Sequence, residues 1–243
     1  MKAANDPAPS VAAAPQDRLQ RARLASIGLG ALLVACAILS LAVGASEVSL
    51  PTVVAKLVRG ENLSLMERVV MADIRLPRLV LGCLVGAALA VAGAVLPGLL
   101  RNPLADPGLV GVSAGDGLGA ISAIVQGAML PPALTAFFGT YLIPFAAFTG
   151  AWATTWLLYR VATRHGRTSV ATMLLAGIAL GALAAALLGV LIFVADDQQL
   201  RELNFWTLGS LAGASWIKLL VAAPLIVISI FGACRLGRGL NGL

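Results

Sequence analysis

Six long apolar stretches follow one another along the chain, separated by shorter polar or proline-rich linkers. Each stretch is about 20 residues long and continuous rather than alternating, which is typical of membrane-spanning helices and not of transmembrane β-strands. The sequence therefore predicts an all-α integral membrane protein, a polytopic helix bundle. The predicted spans are Leu24–Ala45, Leu79–Leu100, Leu109–Leu130, Phe137–Tyr159, Met173–Ala195 and Trp216–Cys234.

Residues 1–23, which precede the first span, differ in composition from the rest of the chain. They are rich in alanine and proline and end with Arg18, Arg21 and Arg23. Such a segment cannot form an apolar core, so it is expected to be a disordered tail. The first span is too long for the core of a signal peptide, and residues 24–243 are expected to form the transmembrane domain.

The distribution of basic residues predicts the orientation in the bilayer. Arg160, Arg164 and Arg167 crowd one short linker, and short basic loops stay on the cytoplasmic side. We therefore predict a cytoplasmic N-terminus and place the long linker 47–78 outside.

Composition limits the possible functions. The chain has 243 residues, of which 59% are hydrophobic and 12% charged, and a mean hydropathy of +0.94 excludes a soluble domain. The net charge of +6 arises in the linkers, and no basic stripe is interleaved with aromatic residues, so no nucleic-acid partner is expected. No catalytic or metal-ligand spacing occurs, so neither an enzyme nor a cofactor is expected. Cys36, Cys83 and Cys234 lie in apolar runs without C-x-x-C spacing, and His165 is the only histidine in the sequence.

Small residues recur at helical spacing on three of the predicted spans. In a bilayer such stripes allow helix backbones to approach closely, and we interpret them as helix-packing positions. A surface against an identical subunit, or sliding helices of a transporter, would use the same pattern. The stripes are Gly82, Gly86 and Ala90; Gly111, Gly115, Gly119 and Ala123; and Gly177, Gly181, Ala185 and Gly189.

Two arginines surround a proline before the second predicted span. The segment Ile74–Arg78 has the sequence I-R-L-P-R, which predicts that Pro77 is the first residue (N1) of a helix. Arg75 and Arg78 would then share a face, where cations oppose the helix dipole. A carboxylate partner outside the chain explains this pair better than helix stability does. Snorkelling to lipid head groups is the alternative.

An acidic residue, Asp116, lies within the third predicted span, about seven residues or 10 Å from its start. An ionisable group at such a depth is a candidate functional residue. The alternative is a structural role, in which the carboxyl group bonds to a neighbouring helix. Before this span, R-N-P-L-A-D-P at Arg101–Pro107 predicts a sharp reversal, with Asp106 capping the next helix and Pro107 at its first position.

These residues together resemble a known family. The region Arg75–Ala120, with R-L-P-R, G-A-A-L-A-V-A-G-A and R-N-P-L-A-D-P-G-L-V-G-V-S-A-G, resembles the signature of FecCD/BtuC-type permeases. These are the membrane subunits of ABC importers for ferric siderophores, haem and vitamin B12. Two later segments resemble the family as well, L-L-A-G-I-A-L-G at Leu174–Gly181 and F-W-T-L-G-S-L-A-G-A-S-W at Phe205–Trp216.

The resemblance implies a bacterial inner membrane protein that forms a homodimer with a second permease copy. It also implies a metal-chelate substrate, a periplasmic substrate-binding protein outside and ABC ATPase subunits inside. Arg75 and Arg78 match family arginines that face acidic residues of the binding protein. With the orientation predicted above, Asn102, Pro103, Asp106 and Pro107 form a cytoplasmic turn. By carry-over from the family, Trp206 and Gly209 belong to a periplasmic gate helix, and Ser169 and Thr172 lie at the cytoplasmic gate.

Three features depart from the family pattern. The family continues past Leu243 to about ten spans of about 20 residues each, so we expect a truncated chain that is inactive alone. Pro97 replaces a common glutamine, and Asp116 replaces a small residue. Two alternatives to an importer permease follow: a secondary transporter or channel in which Asp116 carries a proton or ion, and a non-functional truncated permease.

Overall fold

The computed structural model describes residues 15–44, 46, 48–100, 112–164 and 167–240, which are almost entirely helical. This confirms the predicted all-α membrane fold. The elements, in chain order, are α1 Pro15–Ala42, α2 Leu50–Val58, α3 Leu65–Arg68, a π-helical segment Val69–Arg75, α4 Leu76–Leu100, α5 Val112–Gln126, a 3-10 turn Gly127–Met129, α6 Pro132–Phe138, a 3-10 turn Gly139–Tyr141, α7 Leu142–Ala162, β1 Thr163–Arg164, β2 Arg167–Thr168, α8 Val170–Val194, α9 Asp197–Leu208 and α10 Trp216–Leu240.

Among the described residues, five helical stretches are long and apolar enough to cross a membrane. They correspond to five of the six predicted spans. In the third predicted span, Leu109–Leu130, residues 109–111 lie outside the described part of the chain, and the described helix α5, Val112–Gln126, ends four residues before Leu130. The helix ends at Gln126 because a 3-10 turn and the pair Pro131 and Pro132 follow. The five stretches are Leu19–Ala42, Leu65–Gly98, Pro132–Ala162, Val170–Val194 and Trp216–Arg235.

The chain divides into two compact units, residues 1–80 and 81–243. In the first unit an ion pair joins α2 to α3, with Lys56 Nζ 2.7 Å from Glu67 Oε1. Glu67 also completes a capping box with Ser64, which fixes the start of α3. Val53 is the buried apolar residue of α2.

The π-helical segment Val69–Arg75 connects α3 directly to α4. The expectation that Pro77 begins a helix is therefore wrong, because the helical chain is continuous from Leu65 to Leu100. Proline has no N–H and its ring crowds the carbonyl group four residues earlier. A π turn at that point changes the hydrogen-bonding register, and the side chain of Pro77 is fully buried.

In the second unit α5 packs against α7, α8 and α9. One buried cluster joins α5 to α9 through Ile121, Ile124, Val125 and Leu203. Another joins the end of α7 to the start of α8 through Leu158, Ala162 and Met173. Between these two helices β1 and β2 pair antiparallel, Thr163 opposite Thr168 and Arg164 opposite Arg167.

Candidate functional site

Arg75 is the buried charged residue of the described chain, with only 6% of its surface exposed. Its Nη1 donates a hydrogen bond to the carbonyl oxygen of Leu41, and its Nη2 donates to Ser46 Oγ at 3.0 Å. Leu41 lies in the last turn of α1, where carbonyl groups have no partner within the helix and attract cations. Arg75 therefore fixes the end of α1 and the loop that follows it.

Gly44 provides the space for this guanidinium group. A Cβ at this position would lie 2.6 Å from Nη2 of Arg75 and 3.0 Å from its Nε. Real Cβ atoms do not approach other heavy atoms so closely, so any larger residue at position 44 would displace the arginine. The sequence interpretation did not identify Gly44, which lies outside the three glycine stripes.

Both arginines line a cavity of about 590 Å³. Arg78 is half-buried in its wall, whereas Arg75 is buried. Two guanidinium groups beside apolar walls favour an anionic group, such as a carboxylate, because the surroundings screen the charges less than water does. We call this the arginine cavity; it is lined by Cys36, Leu39, Val43, Ile74, Arg75 and Arg78, among others.

The candidates for a cytoplasmic gate form a helix cap. Ser169 is the N-cap of α8, and its Oγ accepts hydrogen bonds from Thr172 N at 3.3 Å and from Thr172 Oγ1 at 3.0 Å. Both residues are exposed. The candidates for the cytoplasmic turn, together with Gly111, lie outside the described residues; they are Asn102, Pro103, Asp106 and Pro107.

The candidates for a periplasmic gate lie at the end of α9. Asp196 and Gln199 form a capping box at its start, and Leu203 is buried against α5. Trp206 is half-buried near the end of the helix. Gly209 follows with φ +68°, a left-handed conformation that terminates the helix and favours glycine.

Glycines bring α5 and α7 into backbone contact. A Cβ on Gly115 would lie 2.6 Å from the carbonyl oxygen of Gly150, and Gly119 lies against the carbonyl group of Ala146. Gly150 was not identified from the sequence. The spacing Ala146, Gly150, Thr154 places a small residue every four positions, and this signal could have indicated it.

The other striped glycines have different surroundings. A Cβ on Gly82 would lie 3.4 Å from Leu211 Cδ1, and Gly177 is buried within α8. Within the described part of the chain, no atom of another element lies within 4 Å of such a Cβ at Gly86 or Gly181.

Asp116 is half-buried on α5. Its Oδ1 accepts a hydrogen bond from the backbone N–H of Gly117 at 2.6 Å. The ion pairs found among the described residues, Lys56–Glu67 and Arg59–Glu61, do not include it. Nor do the described ranges contain a group of three or more His, Cys, Asp or Glu side chains that could hold a metal ion.

Comparison with protein families gives a match to the FecCD transport family over residues 32–243. The matched segment covers most of the chain and includes the arginine cavity, the α5–α7 contact and α9.

Individual relatives support the same assignment. The hemin transport system permease protein HmuU of Yersinia pestis is 44% identical over 169 residues, 70% of this chain and 49% of the relative. The cobalamin import system permease protein BtuC of Halobacterium salinarum is 39% identical over 176 residues, 72% of this chain and 45% of the relative. The chain thus spans about half the length of these curated relatives.

A solved structure is also similar. It is described as a metal-chelate type ABC transporter in an inward-facing conformation, and it matches with a TM-score of 0.71 and 29% identity. The match covers 88% of this chain and 62% of that one.

Proposed function

Because the chain belongs to the FecCD transport family, we propose that it serves as the membrane permease of an ABC importer for a metal chelate. The observation that carries this proposal is the family match over residues 32–243, together with five helices able to span a bilayer in the described chain. The permease catalyses no reaction in this proposal, and separate ATPase subunits hydrolyse ATP.

The substrate class follows from the relatives. Their names specify hemin and cobalamin, which are both metal ions held in a large ring, and the solved structure is of a metal-chelate type. We therefore propose a haem- or cobalamin-type chelate, with ferric siderophores as the other member of the class.

In the proposed assembly, two permease copies pair in a bacterial inner membrane. The basic linker Arg160–Thr172 lies in the cytoplasm, with the N-terminus on the same side, because short basic loops remain there. The ATPase subunits bind on this side, and a periplasmic substrate-binding protein binds on the other. The segment around α9, with Trp206 and Gly209, is the proposed periplasmic gate, and Ser169 and Thr172 border the cytoplasmic gate.

The arginine cavity is the proposed docking point for the binding protein. Arg78 is only half-buried, so we assign it the direct contact with an acidic residue. Arg75 already donates to Leu41 and Ser46, and its proposed contribution is to hold the loop and the positive potential in place. Two cations in one cavity raise the rate and specificity of docking to a negatively charged partner.

Uptake by cells tests the proposal. The gene is deleted in its native host, and a second strain carries the deletion together with a restored copy of the gene. Accumulation of radiolabelled hemin, cobalamin and a ferric siderophore is measured in both strains. We expect accumulation of one chelate to require the gene, ATP and the binding protein. Accumulation that is unchanged by deletion would contradict the proposal. Uptake that resists ATP depletion but stops with a protonophore would indicate a secondary transporter instead.

A further inference from the structure

The short helix α2, in the unit 1–80, has an exposed apolar side. Val54, Leu57 and Val58 follow one another at a spacing of three and four residues, so they share one face of the helix. Of their surfaces, 48%, 59% and 82% are exposed. Val53, beside this face, is the buried residue of α2. We call the three exposed residues the apolar side of α2.

The polar side chains of α2 instead bond within the protein. Lys56 Nζ lies 2.7 Å from Glu67 Oε1 of α3, and Thr52 Oγ1 lies 2.6 Å from Ser49 Oγ. Thr52, Ser49 and Glu67 line one cavity of about 480 Å³. A helix surrounded by water normally has the reverse arrangement, with its apolar side against the protein and its polar side in the solvent. The surroundings of the outer face of α2 are therefore expected to be apolar.

The depth of α2 in the membrane follows from its contact with α1. From residue 19 to residue 42, every residue of α1 is exposed except Ala37, Leu41 and Ala42. The contacts of α1 with the other described elements are therefore made by its last turns. Because Leu19–Ala42 is a stretch able to span a bilayer, α2 lies beside the end of a span. This is the level at which the apolar core meets the lipid head groups.

The exposed apolar surface also includes the first turn of α3. Leu65 and Met66 are 81% and 67% exposed, and they begin the second stretch able to span a bilayer, Leu65–Gly98. The ion pair between Lys56 and Glu67 holds α2 against this turn. The chain thus connects α2 on both sides to stretches that belong in the bilayer, and lipid is the apolar medium that these stretches share.

We propose that α2 is an interfacial helix whose apolar side inserts among the lipid head groups of the bilayer that α1 spans. Helices of this kind lie in the plane of the membrane surface, with the apolar face buried about 5–10 Å into the boundary between head groups and acyl chains. Arg59, the exposed C-cap residue of α2, extends its basic group toward the lipid phosphates. The partner is the lipid surface itself, on whichever side of the membrane the linker lies, and the insertion does not depend on transport.

Fluorescence quenching at single positions tests this inference. Cys36, Cys83 and Cys234 are replaced by alanine, and one cysteine at a time is introduced into the full chain and labelled with an NBD fluorophore. Each labelled protein is placed in nanodiscs of phosphatidylcholine and phosphatidylglycerol, whose two faces are both open to the solvent. One quencher is a phosphatidylcholine with a doxyl group near the head of the acyl chain, and the other is iodide in the water.

The two sides of α2 should differ in this measurement. At Val54→Cys and Val58→Cys we expect a ratio of lipid quenching to iodide quenching at least about threefold higher than at Thr52→Cys, on the polar side. Val34→Cys, within the spanning part of α1, calibrates the lipid signal. Asn62→Cys, at an exposed position of the linker, calibrates the iodide signal.

A charge on the apolar side gives a second measurement, with the label at Leu57→Cys. The double change Val54→Glu and Val58→Glu should reduce lipid quenching, because carboxylates resist transfer out of water. Thr52→Glu places the same charge on the polar side and should leave the quenching unchanged.

Three results would overturn the proposal. Iodide quenching at Val54→Cys and Val58→Cys as strong as at Asn62→Cys would show that the apolar side lies in water. Protection from both quenchers would show that a protein segment or a second copy covers it. Lipid quenching that is lost when the periplasmic binding protein is added, or protection from iodide that appears only then, would assign this face to that partner.

Discussion

Gly119 in α5 lies directly against the main-chain carbonyl group of Ala146 in α7, with no space for a side chain. One turn away, Gly115 and Gly150 approach each other in the same way. The hydrophobic effect contributes little to helix association in a bilayer, because lipid tails are as apolar as the side chains. Close backbone packing therefore supplies much of the attraction. These glycines therefore determine how near α5 and α7 can lie.

Gly119→Ala should destabilise the chain by about 1–3 kcal/mol, because the new methyl group overlaps backbone that cannot rotate away. Equilibrium unfolding in mixed detergent measures the change. Gly86→Ala is the matched control: no atom of another described element lies within 4 Å of the added Cβ, and alanine favours helix over glycine. Equal losses in the two variants would contradict the packing role of Gly119.

The contact between Arg75 and the end of α1 gives a second prediction. Arg75→Lys keeps the charge but cannot place separate donors on Leu41 and Ser46, so the free energy of unfolding should fall by about 1.5–3 kcal/mol. Gly44→Ala should have an effect in the same direction, since its Cβ would displace the guanidinium group.

Gly28→Ala is the control for this pair, because Gly28 lies on α1 with nothing within 4 Å of an added Cβ among the described residues. The same unfolding assay applies. If R75K and G44A unfold like the parent, the hydrogen bonds of Arg75 contribute nothing to stability.

If a binding protein docks at the arginine cavity, as proposed, its affinity should depend on Arg78. Arg78→Glu should weaken the affinity by about tenfold or more, and added salt should partly restore it by screening the new repulsion. Binding of the cognate periplasmic protein to the reconstituted permease, measured at low and high salt, checks this. Arg21→Glu, an exposed charge reversal on α1, should bind like the parent. Unchanged binding in R78E would return Arg78 to the lipid-snorkelling alternative.

The orientation can be tested with reporter fusions. Alkaline phosphatase joined near Arg164 should be inactive and joined near Glu61 active, because the enzyme folds only outside the cytoplasm. The reverse result would contradict the proposed orientation, and with it the proposed cytoplasmic and periplasmic positions of the gates and of the docking site.

The role of Asp116 separates the two classes of transporter. In an ATP-driven permease, Asp116→Asn should leave uptake within about threefold of the parent, because the carboxyl oxygen bonds to the Gly117 N–H and an amide oxygen does the same. Measured by chelate accumulation, a complete loss in D116N together with sensitivity to a protonophore would favour proton or ion coupling.

Long apolar runs were enough to predict the five long helices able to span a bilayer, because an apolar segment in a bilayer must satisfy its own backbone. Local signals were less reliable where helices join. Pro77 has the sequence context of a helix start, yet the π segment before it is continuous with α4, so the helix does not begin at Pro77. Gln126 and the following prolines shorten α5 relative to the apolar run, a boundary that hydropathy does not mark.

The candidate site was only partly accessible from sequence. The pair Arg75 and Arg78 was recognised from its motif, but the burial of Arg75 depends on Ser46, which lies 29 residues earlier in the chain. The absence of a side chain at Gly44 is important only because the guanidinium group of Arg75 packs against that position. Such contacts arise from tertiary packing, and spacing within one helix does not encode them.

The π segment before Pro77 also has an angular consequence. An α-helix turns by about 100° per residue, so removing one residue between Val69 and Arg75 would rotate all earlier positions by that angle. Glu67 could then no longer face Lys56 while Arg75 faced Leu41. The number of residues per turn in the segment before the R-L-P-R motif therefore determines the direction in which the motif's arginines point. Two proteins with the same motif, one with a π segment before it and one with a regular α-helix, would place these arginines against different neighbours.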